Sequence, residues 1–158
     1  MTAAGEPESD IDRVAFGAAS GDAEMVARLL AVIGPMLVRY CRARLGRRGD
    51  SYRDADDVAQ EVGYAVLAAV PAYAGGPFLR QMHEIAVKIV DELEPLTAGG
   101  GSELSDLLPK LPPLDRDVVV LRVATGLSTA ETATILSLSA AEIRVAQHRA
   151  LTRLRALL

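Results

Sequence analysis

The sequence has few of the residues on which many folds and active sites depend. It holds one cysteine, two histidines, four tyrosines, two phenylalanines and no tryptophan in 158 residues. With Cys41 alone, neither a disulfide framework nor a cysteine-based zinc site can form, which fits a reducing compartment. Strict alternation of β-branched and aromatic residues is also missing, and half of the chain is apolar. This composition predicts an all-α protein long enough to bury a core.

The sequence also lacks the clusters that carry catalysis. His83 and His148 lie far apart, with no glycine-rich phosphate loop and no nucleophile beside a base. Asp56 and Asp57 point about 100° apart on a helix, so they do not share a metal-site geometry. We therefore predict no enzyme activity, no cofactor and no metal site. Because no apolar run approaches membrane-spanning length and the N-terminus resembles no secretory signal, we expect a cytoplasmic protein without a membrane partner.

Two helix-start signals of the same type organise the last third of the chain. Ser128 and Ser139 stand eleven residues apart, and each is followed three residues later by a glutamate. At this spacing the serine oxygen caps the backbone and the carboxylate reciprocates. Only a short helix and a tight turn fit between the two signals. With an apolar helix from Asp115 to Ala124 before them, they predict a helix-turn-helix.

The last helix separates its residues into two faces. Its apolar stripe, expected to pack on the preceding helices, consists of Ile143, Ala146, Ala150, Leu154 and Leu157. The opposite face suits the major groove of DNA, where arginine can pair with guanine and valine can meet a thymine methyl group. The alternative is an ordinary solvated basic face. The predicted DNA contacts are Ala141, Arg144, Val145, His148, Arg149 and Thr152.

The charge balance favours a protein partner as well as DNA. The formal net charge is −4, which is unfavourable for a chain that binds phosphates, because phosphate neutralisation drives non-specific affinity. The basic residues are nevertheless clustered, in the last helix and in a stretch between Arg39 and Arg53. We expect weak DNA affinity for the chain alone.

The rest of the chain is typical of a second helical domain. Residues 1–10 are expected to form a disordered leader, 11–95 a helical domain, 96–108 a glycine-rich linker and 109–158 the helix-turn-helix domain. Apolar periodicity and capping signals predict helix starts near Ile11, after Gly21-Asp22, at Pro35, at Asp54 and at Phe78, with Pro95 ending the last of these helices.

Two blocks of sequence together resemble a known family. Residues 54–62, Asp-Ala-Asp-Asp-Val-Ala-Gln-Glu-Val, resemble the D-D-x-x-Q-E signature of region 2 in bacterial extracytoplasmic-function (ECF) sigma factors. Residues 111–122 and 143–150 resemble region 4 of the same family, and the chain is most similar to its D-type group in actinobacteria. The resemblance implies two small α-helical domains, region 2-like and region 4-like. It also implies an RNA polymerase sigma factor that directs promoter-specific initiation.

The resemblance implies a role for each surface. The acidic positions of the region 2-like helix match the family's contact with the clamp helices of the polymerase β′ subunit. Without the resemblance, the same acids would be interpreted as complementing the helix dipole. The last helix matches the one that reads the minus-35 element. Leu114, Val118 and Leu121, if exposed, match a contact with the β-subunit flap, and an anti-sigma factor is a further partner. The implied core-polymerase-binding residues are Asp56, Asp57, Gln60 and Glu61.

The helix after Pro77 departs from the family pattern. The family's minus-10 helix is built around I-A-x-N-x-x-x-D, whereas the segment from Ile85 to Asp91 lacks one residue and continues as Glu-Leu-Glu-Pro, acidic where the family is usually basic. Carboxylates repel phosphates. Two interpretations stay open: a sigma factor, or a helix-turn-helix regulator or degenerate sigma-like protein unable to melt promoters. The candidate minus-10 residues are Arg80, His83 and Lys88.

Overall fold

The computed structural model describes residues 9–97 and 103–158, and within these ranges it contains α-helices and no strand. The all-α fold class is confirmed, whereas the predicted leader up to residue 8 and the glycines at 99–101 lie outside the described residues. No helix in the described part of the chain is both long and apolar enough to cross a membrane. The helices are α1 (Asp10–Ala19), α2 (Ala23–Leu45), α3 (Arg53–Ala69), α4 (Phe78–Thr97), α5 (Leu104–Leu107), α6 (Pro113–Val119), α7 (Thr129–Leu136) and α8 (Ala140–Leu157).

The first half of the molecule, α1 to α4, is built around the long helix α2. Asp22 caps α2 by accepting from the backbone N–H groups of Glu24 and Met25. One face of α2 buries Leu29, Ile33 and Leu37, and the facing stripe of α3 includes Val62 and Val66. Helix α1 begins with a capping box between Ser9 and Asp12, and Asp12 Oδ1 also accepts from the backbone N–H of Phe78 at 2.9 Å. A single carboxylate therefore fixes the starts of α1 and α4 together.

Two helix boundaries predicted at prolines in this half are wrong. Pro35 lies inside α2, which runs unbroken from Ala23 to Leu45. Pro95 lies inside α4, which runs to Thr97 instead of ending near residue 93. A proline removes one backbone hydrogen bond. In α2 the apolar burial on either side of Pro35 offsets that loss, and in α4 the proline falls in the last turn, where few bonds follow it.

The start of α3 also differs from the prediction. Its N-cap is Tyr52, with no side-chain capping bond, so Asp54 lies in the first turn and is not the cap. Asp54 instead pairs with Arg48, Nη1 to Oδ2 at 3.2 Å. An acid in the first turn still complements the helix dipole, which explains why the sequence signal pointed to this place and missed the residue by two positions.

The second half, α5 to α8, contains the predicted helix-turn-helix. Ser128 and Glu131 form both bonds of a capping box at the start of α7. Ser137 ends α7 in the left-handed conformation, at φ 56°, and Ser139 then caps α8 by accepting from the backbone N–H of Glu142. Between α6 and α7, a π-helical turn over Val120–Ala124 leads to Gly126. The turn between α7 and α8 is thus only a few residues long.

The two halves pack against each other. Apolar side chains of α2, α3 and α4 belong to one continuous buried cluster with Leu108, Leu111, Val120 and Ile135 of the second half. Between the halves, α4 packs against α7, and α2 packs against α5 and the π-helical turn. A smaller cluster of Val118, Ile143 and Ala146 lies inside the helix-turn-helix itself.

Candidate nucleic-acid and protein interfaces

Helix α8 is held so that one face is buried and the other is free. Ile143, Ala146 and Ala150 are buried and pack toward α6 and α7. Leu154 is half-buried and still packs against the core, whereas Leu157 is 42% exposed, so the last predicted member of the stripe is wrong. The burial of α8 is therefore concentrated in its first three turns.

The face opposite this stripe carries the predicted DNA contacts. All four residues in its first turns are exposed, with Val145 at 63%: Ala141, Arg144, Val145 and His148. Arg144 has no hydrogen-bond or ion-pair partner among the described residues. Thr152 is exposed, and its hydroxyl donates to the main-chain oxygen of His148 at 2.9 Å. A protruding arginine beside an exposed valine near the N-terminus of a recognition helix is the arrangement that base-edge readout requires.

Arg149, on the flank of this face, is bound to a carboxylate. Its Nε and Nη2 donate to Asp115 Oδ1 at 3.0 and 2.6 Å, and Arg153 also bonds to Asp115. Asp115 is fully buried. Burial by itself raises the pKa of this carboxyl, but the hydrogen bonds and charges of the two arginines outweigh it and hold the pKa below its ordinary value. The sequence does not single out this acid, because Arg116 and Asp117 beside it in α6 are charged as well.

The acidic face of α3 divides into one paired and three free side chains. Asp56 accepts from Arg42 Nε and Nη2 at 2.7 and 2.8 Å, and this hydrogen-bonded pair lowers the pKa of Asp56. Asp57, Gln60 and Glu61 are exposed, and none of them has a hydrogen-bond or ion-pair partner among the described residues. Three of the four predicted residues therefore present unused acceptors to solvent.

An apolar groove lies directly beside these acids. It runs between α2 and α3, has a volume of about 500 Å³, and is lined by Leu30, Leu37, Val38, Tyr64 and Leu67, with Asp57 and Gln60 on its rim. Leu30 and Tyr64 are exposed by 39% and 64%. Sequence reasoning identified the acids and missed the groove, because its apolar lining comes from two helices whose pairing the spacing alone does not predict.

The three minus-10 candidates on α4 have different surroundings. Arg80 Nε and Nη2 donate to the main-chain oxygen of Thr134, in α7, at 2.9 and 2.6 Å. The His83 ring stands edge-on to Tyr40 with centroids 5.8 Å apart, and burial lowers its pKa to about 4. Lys88 is exposed, without a hydrogen-bond partner in the described ranges. The structure thus brings Arg80 and His83 to the contact between the halves and leaves Lys88 in solvent.

Arg44 makes the most buried charge contact of the first half. Its Nη1 donates to the Tyr40 hydroxyl at 2.7 Å, and its Nη2 pairs with Asp91 at 2.6 Å. The basic stretch around it is largely paired within the chain. Partners are found for Arg39, Arg42, Arg44, Arg47 and Arg48.

Comparisons with known proteins agree with this architecture. Residues 102–154 match the family model described as sigma-70, region 4. The chain is 36% identical to the ECF RNA polymerase sigma factor SigD of Mycobacterium tuberculosis, over 98% of this chain and 85% of SigD. It is 39% identical to the ECF RNA polymerase sigma factor ShbA of Streptomyces griseus, over 89% of this chain and 91% of ShbA. Among solved structures, CnrH in complex with the cytosolic domain of CnrY is similar with a TM-score of 0.73 and 29% identity, over 94% of this chain and 97% of CnrH.

Proposed function

Because the chain belongs to the ECF family of RNA polymerase sigma factors, we propose that it recruits core RNA polymerase through the acidic face of α3 and positions it at promoters through α8. The observation that carries this proposal is the set of unpaired acceptors on Asp57, Gln60 and Glu61 beside an apolar groove. An exposed apolar patch next to like charges is typical of a binding surface, and its partner is expected to be basic.

Within that face, the four predicted residues divide their roles. Asp56 is held by Arg42, so it braces α3 against α2 and is expected to contribute little to binding. Asp57, Gln60 and Glu61 remain as the contacts with the clamp helices of the β′ subunit. The groove supplies apolar area that charge pairs alone do not provide, since exposed ion pairs each contribute only about 0–1 kcal/mol.

Co-elution with purified core RNA polymerase on a size-exclusion column tests this assignment. The intact chain at micromolar concentration is expected to co-elute, and the Asp57→Ala, Gln60→Ala, Glu61→Ala variant is expected to lose co-elution. A matched control, Glu24→Ala with Asp50→Ala, removes the same two negative charges from exposed positions elsewhere in the first half. Failure of the intact chain to co-elute, or equal loss in the control, would overturn the proposal.

Promoter recognition is assigned to α8 and α4. We assign minus-35 reading to Arg144, Val145 and His148, with Ala141 and Thr152 at the edges of that face and Arg149 toward the phosphates. We assign minus-10 contact to α4, where Lys88 is the candidate open to solvent. The residue boundaries of the two domains, 11–95 and 109–158 with a linker between them, belong to the same proposal.

Transcription of fragmented genomic DNA by the reconstituted holoenzyme tests promoter opening even when no promoter sequence has been chosen in advance. Transcripts whose 5′ ends share two upstream sequence elements are expected. Binding to polymerase without such transcripts would favour the second interpretation, a sigma-like protein that cannot melt DNA. Glu92, an exposed acid on α4, is the structural feature that favours this alternative.

Two further partners follow from the same surfaces. Val118 and Leu121 are buried core residues, so of the three positions considered for the β-subunit flap only Leu114, 37% exposed, is available. CnrH was solved with the cytosolic domain of CnrY, and we propose that an anti-sigma domain likewise binds this chain. The proposed role requires no catalytic group in the chain and is exercised in the cytoplasm, where RNA polymerase works.

A further inference from the structure

The apolar stripe that holds α8 in place is narrow and has little shape. Three side chains of α8 are buried, and two of them are alanines: Ile143, Ala146 and Ala150. A single well-ordered packing arrangement depends on side chains of complementary shape, and a methyl group interlocks only weakly with the surface that it faces. Apolar packing alone therefore fixes the rotation of α8 about its own axis poorly.

Polar contacts with the preceding helix flank this stripe on both sides. Arg122, in the π-helical turn, donates from Nε to Gln147 Oε1 at 3.0 Å. Asp115, at the start of α6, accepts from Arg149 and Arg153. At 100° per residue, Gln147 lies about 65° to one side of the centre of the stripe, whereas Arg153 and Arg149 lie about 55° and 95° to the other. The Arg122 contact and the Asp115 contact thus hold α8 from opposite flanks.

Both contacts are anchored at groups that are themselves fixed. Asp115 is fully buried and uses both of its oxygens, with Arg149 Nη2 donating to Oδ1 at 2.6 Å and Arg153 bonding to Oδ2. A buried carboxylate is costly without its partners, so these bonds persist while the half is folded. Arg122 is held from its other end, where Nη1 donates to the main-chain oxygen of Leu127 at 2.6 Å. Helix α8 is therefore aligned against two fixed points.

The exposed face of α8 lies opposite the stripe and depends on this alignment. Arg144, Val145 and His148 are exposed there, at about 125–170° from the centre of the stripe. A rotation of 20° moves a group at the outer surface of a helix, about 5–6 Å from its axis, by about 2 Å. A functional group has to be held within about 0.5 Å and 10–20° of its productive geometry. A small rotation of α8 is therefore enough to lose a base contact.

From this geometry we propose that Asp115 and Arg122 are positioning residues for promoter reading, which fix the rotation of α8 and so determine which of its side chains reach the bases. The inference rests on the proposed function, in which α8 reads the minus-35 element. Asp115 acts through Arg149 and Arg153, and Arg122 acts through Gln147, so neither has to touch DNA. Setting a unique register is the best-attested use of buried charged groups.

Base discrimination by the reconstituted holoenzyme tests this role. A duplex is selected from random sequence by the unsubstituted holoenzyme, and its affinity is compared with those of duplexes that carry single-base changes. Asp115→Asn removes the charge and nearly keeps the shape, and Arg122→Met keeps the long stem and removes the donors. Ile135→Val is the matched control, because it loosens the buried core of the second half at α7 without touching either contact.

Asp115→Asn and Arg122→Met are each expected to reduce discrimination about tenfold at the base pair whose readout Arg144→Ala abolishes, which is the size of one base contact. Affinity for a scrambled duplex is expected to change little. Arg122→Lys restores a donor and is expected to recover most of the discrimination. Gln147→Ala, which breaks the Arg122 contact without removing a charge, replaces any variant that fails to give a helical circular dichroism spectrum.

Two results would overturn the positioning role. One is discrimination in the folded test variants equal to that of Ile135→Val, which would mean that the two contacts contribute to stability alone. The other is equal weakening of the selected, single-base and scrambled duplexes, which would mean that only phosphate contacts were lost.

A thiol in the stripe reports the alignment of α8 without DNA or polymerase. Ala150→Cys places a thiol at a fully buried position of α8, and its labelling rate is measured in the free chain with and without Asp115→Asn. The native Cys41 reacts slowly, because it is fully buried and burial raises its thiol pKa to about 12. Rates are compared at urea concentrations that give each chain the same unfolding free energy, with Ile135→Val again as the control.

Labelling of Ala150→Cys is expected to be several-fold faster with Asp115→Asn than with Ile135→Val. If the unsubstituted holoenzyme selects no sequence, reading by α8 is lost as a function, and this comparison still decides whether Asp115 aligns the helix. Equal labelling rates in the two chains would overturn the alignment itself.

Discussion

Asp115 is fully buried and yet ionised, because two arginines of α8 bond to it. This contact bears on the proposed reading of DNA by α8. Arg149 donates to Asp115 through Nε and Nη2, so the carboxylate fixes the orientation of this guanidinium, offsets its charge and leaves fewer of its N–H donors for DNA. Arg144 is under no such constraint. We therefore expect Arg144 to contact bases and to contribute sequence specificity, and Arg149 to contact phosphates without sequence specificity.

Replacing Arg144 tests this division of roles. Arg144→Ala is expected to cost about 1–3 kcal/mol of binding free energy at a DNA site selected by the holoenzyme from random sequence, because one base contact is lost. Binding is measured by fluorescence anisotropy on the selected duplex and on a scrambled duplex. Arg155→Ala removes the same charge about three turns later on the helix and is expected to weaken both duplexes alike. Equal losses on both duplexes for Arg144→Ala would mean that it contacts phosphate only.

His83 makes the stability of the chain depend on pH. Burial, with a smaller contribution from the Arg44 charge, lowers its pKa from the ordinary 6.5 to about 4. The unfolded chain therefore binds a proton at higher pH than the folded chain does. The contribution of neutral His83 is complete above pH 6.5 and is lost as the pH falls from there toward 4. The charged groups around it are Arg44, Glu84, Lys88, Asp91, Arg116 and Asp117.

Comparison with His83→Gln isolates this contribution. Between about pH 7.5 and pH 5 the unsubstituted chain is expected to lose about 2 kcal/mol more unfolding free energy than the variant, in urea denaturation followed by circular dichroism. Both chains carry the same carboxylates, so their titration cancels in the difference. Parallel pH profiles for the two chains would show that His83 titrates normally and is accessible to water.

At the scale of single elements, the two serine caps of the helix-turn-helix are not equivalent. Ser128 is reciprocated by Glu131, whose Oε1 accepts from the Ser128 N–H at 2.8 Å, whereas Ser139 has only the bond from Glu142. Ser128→Ala is expected to lower the unfolding free energy by about 1–2 kcal/mol, because the bond from the Glu131 N–H to the serine oxygen is lost and the backbone bond from residue 128 to Glu131 loses the partner that holds it in place. Ser139→Ala is expected to cost less, and thermal melts of the two variants give the order. The reverse order would contradict the assignment.

Local signals explain which helices could be predicted from the sequence. The serine caps and the glycine after the π-helical turn act over three or four residues, and the elements that they mark, α7 and α8, appear as expected. The helix start predicted at Pro35 was wrong for the same reason: a proline is an equally strong local signal. Whether α2 continues through Pro35 is decided by the packing of α2 on α3, which the local signal does not contain. The acids on α3 could be identified through the resemblance of residues 54–62 to the family signature, but the pairing of Asp56 with Arg42 depends on how α2 lies beside it.

At the scale of the whole molecule, the contact between the halves could not be predicted. Arg80 and Thr134 are separated by 54 positions, and Arg39 and Thr125 by 86. Both acceptors are main-chain oxygens, which leave no trace in residue type. Contacts inside the molecule also occupy Arg39, Arg42 and Arg44 of α2, whereas Arg144 and Arg155 of α8 have no hydrogen-bond or ion-pair partner among the described residues, in a chain of net charge −4.

Gly46 links local backbone geometry to this global arrangement. Its φ of 71° is a conformation that side chains disfavour, and Ser105 lies against it. Gly46→Ala is expected to displace the linker and lower the energy transfer between two dyes attached at the exposed positions Ser20→Cys and Ala156→Cys. Gly49→Ala is the matched control, because Gly49 has a φ of 63° and no neighbour within 4 Å. It shares the positive φ, which costs a side chain about 1–3 kcal/mol, without the contact. If the two variants lower the energy transfer equally, strain in the loop explains the decrease and the contact between Ser105 and Gly46 plays no part in it. A decrease confined to Gly46→Ala would show that the docked linker keeps the two halves together.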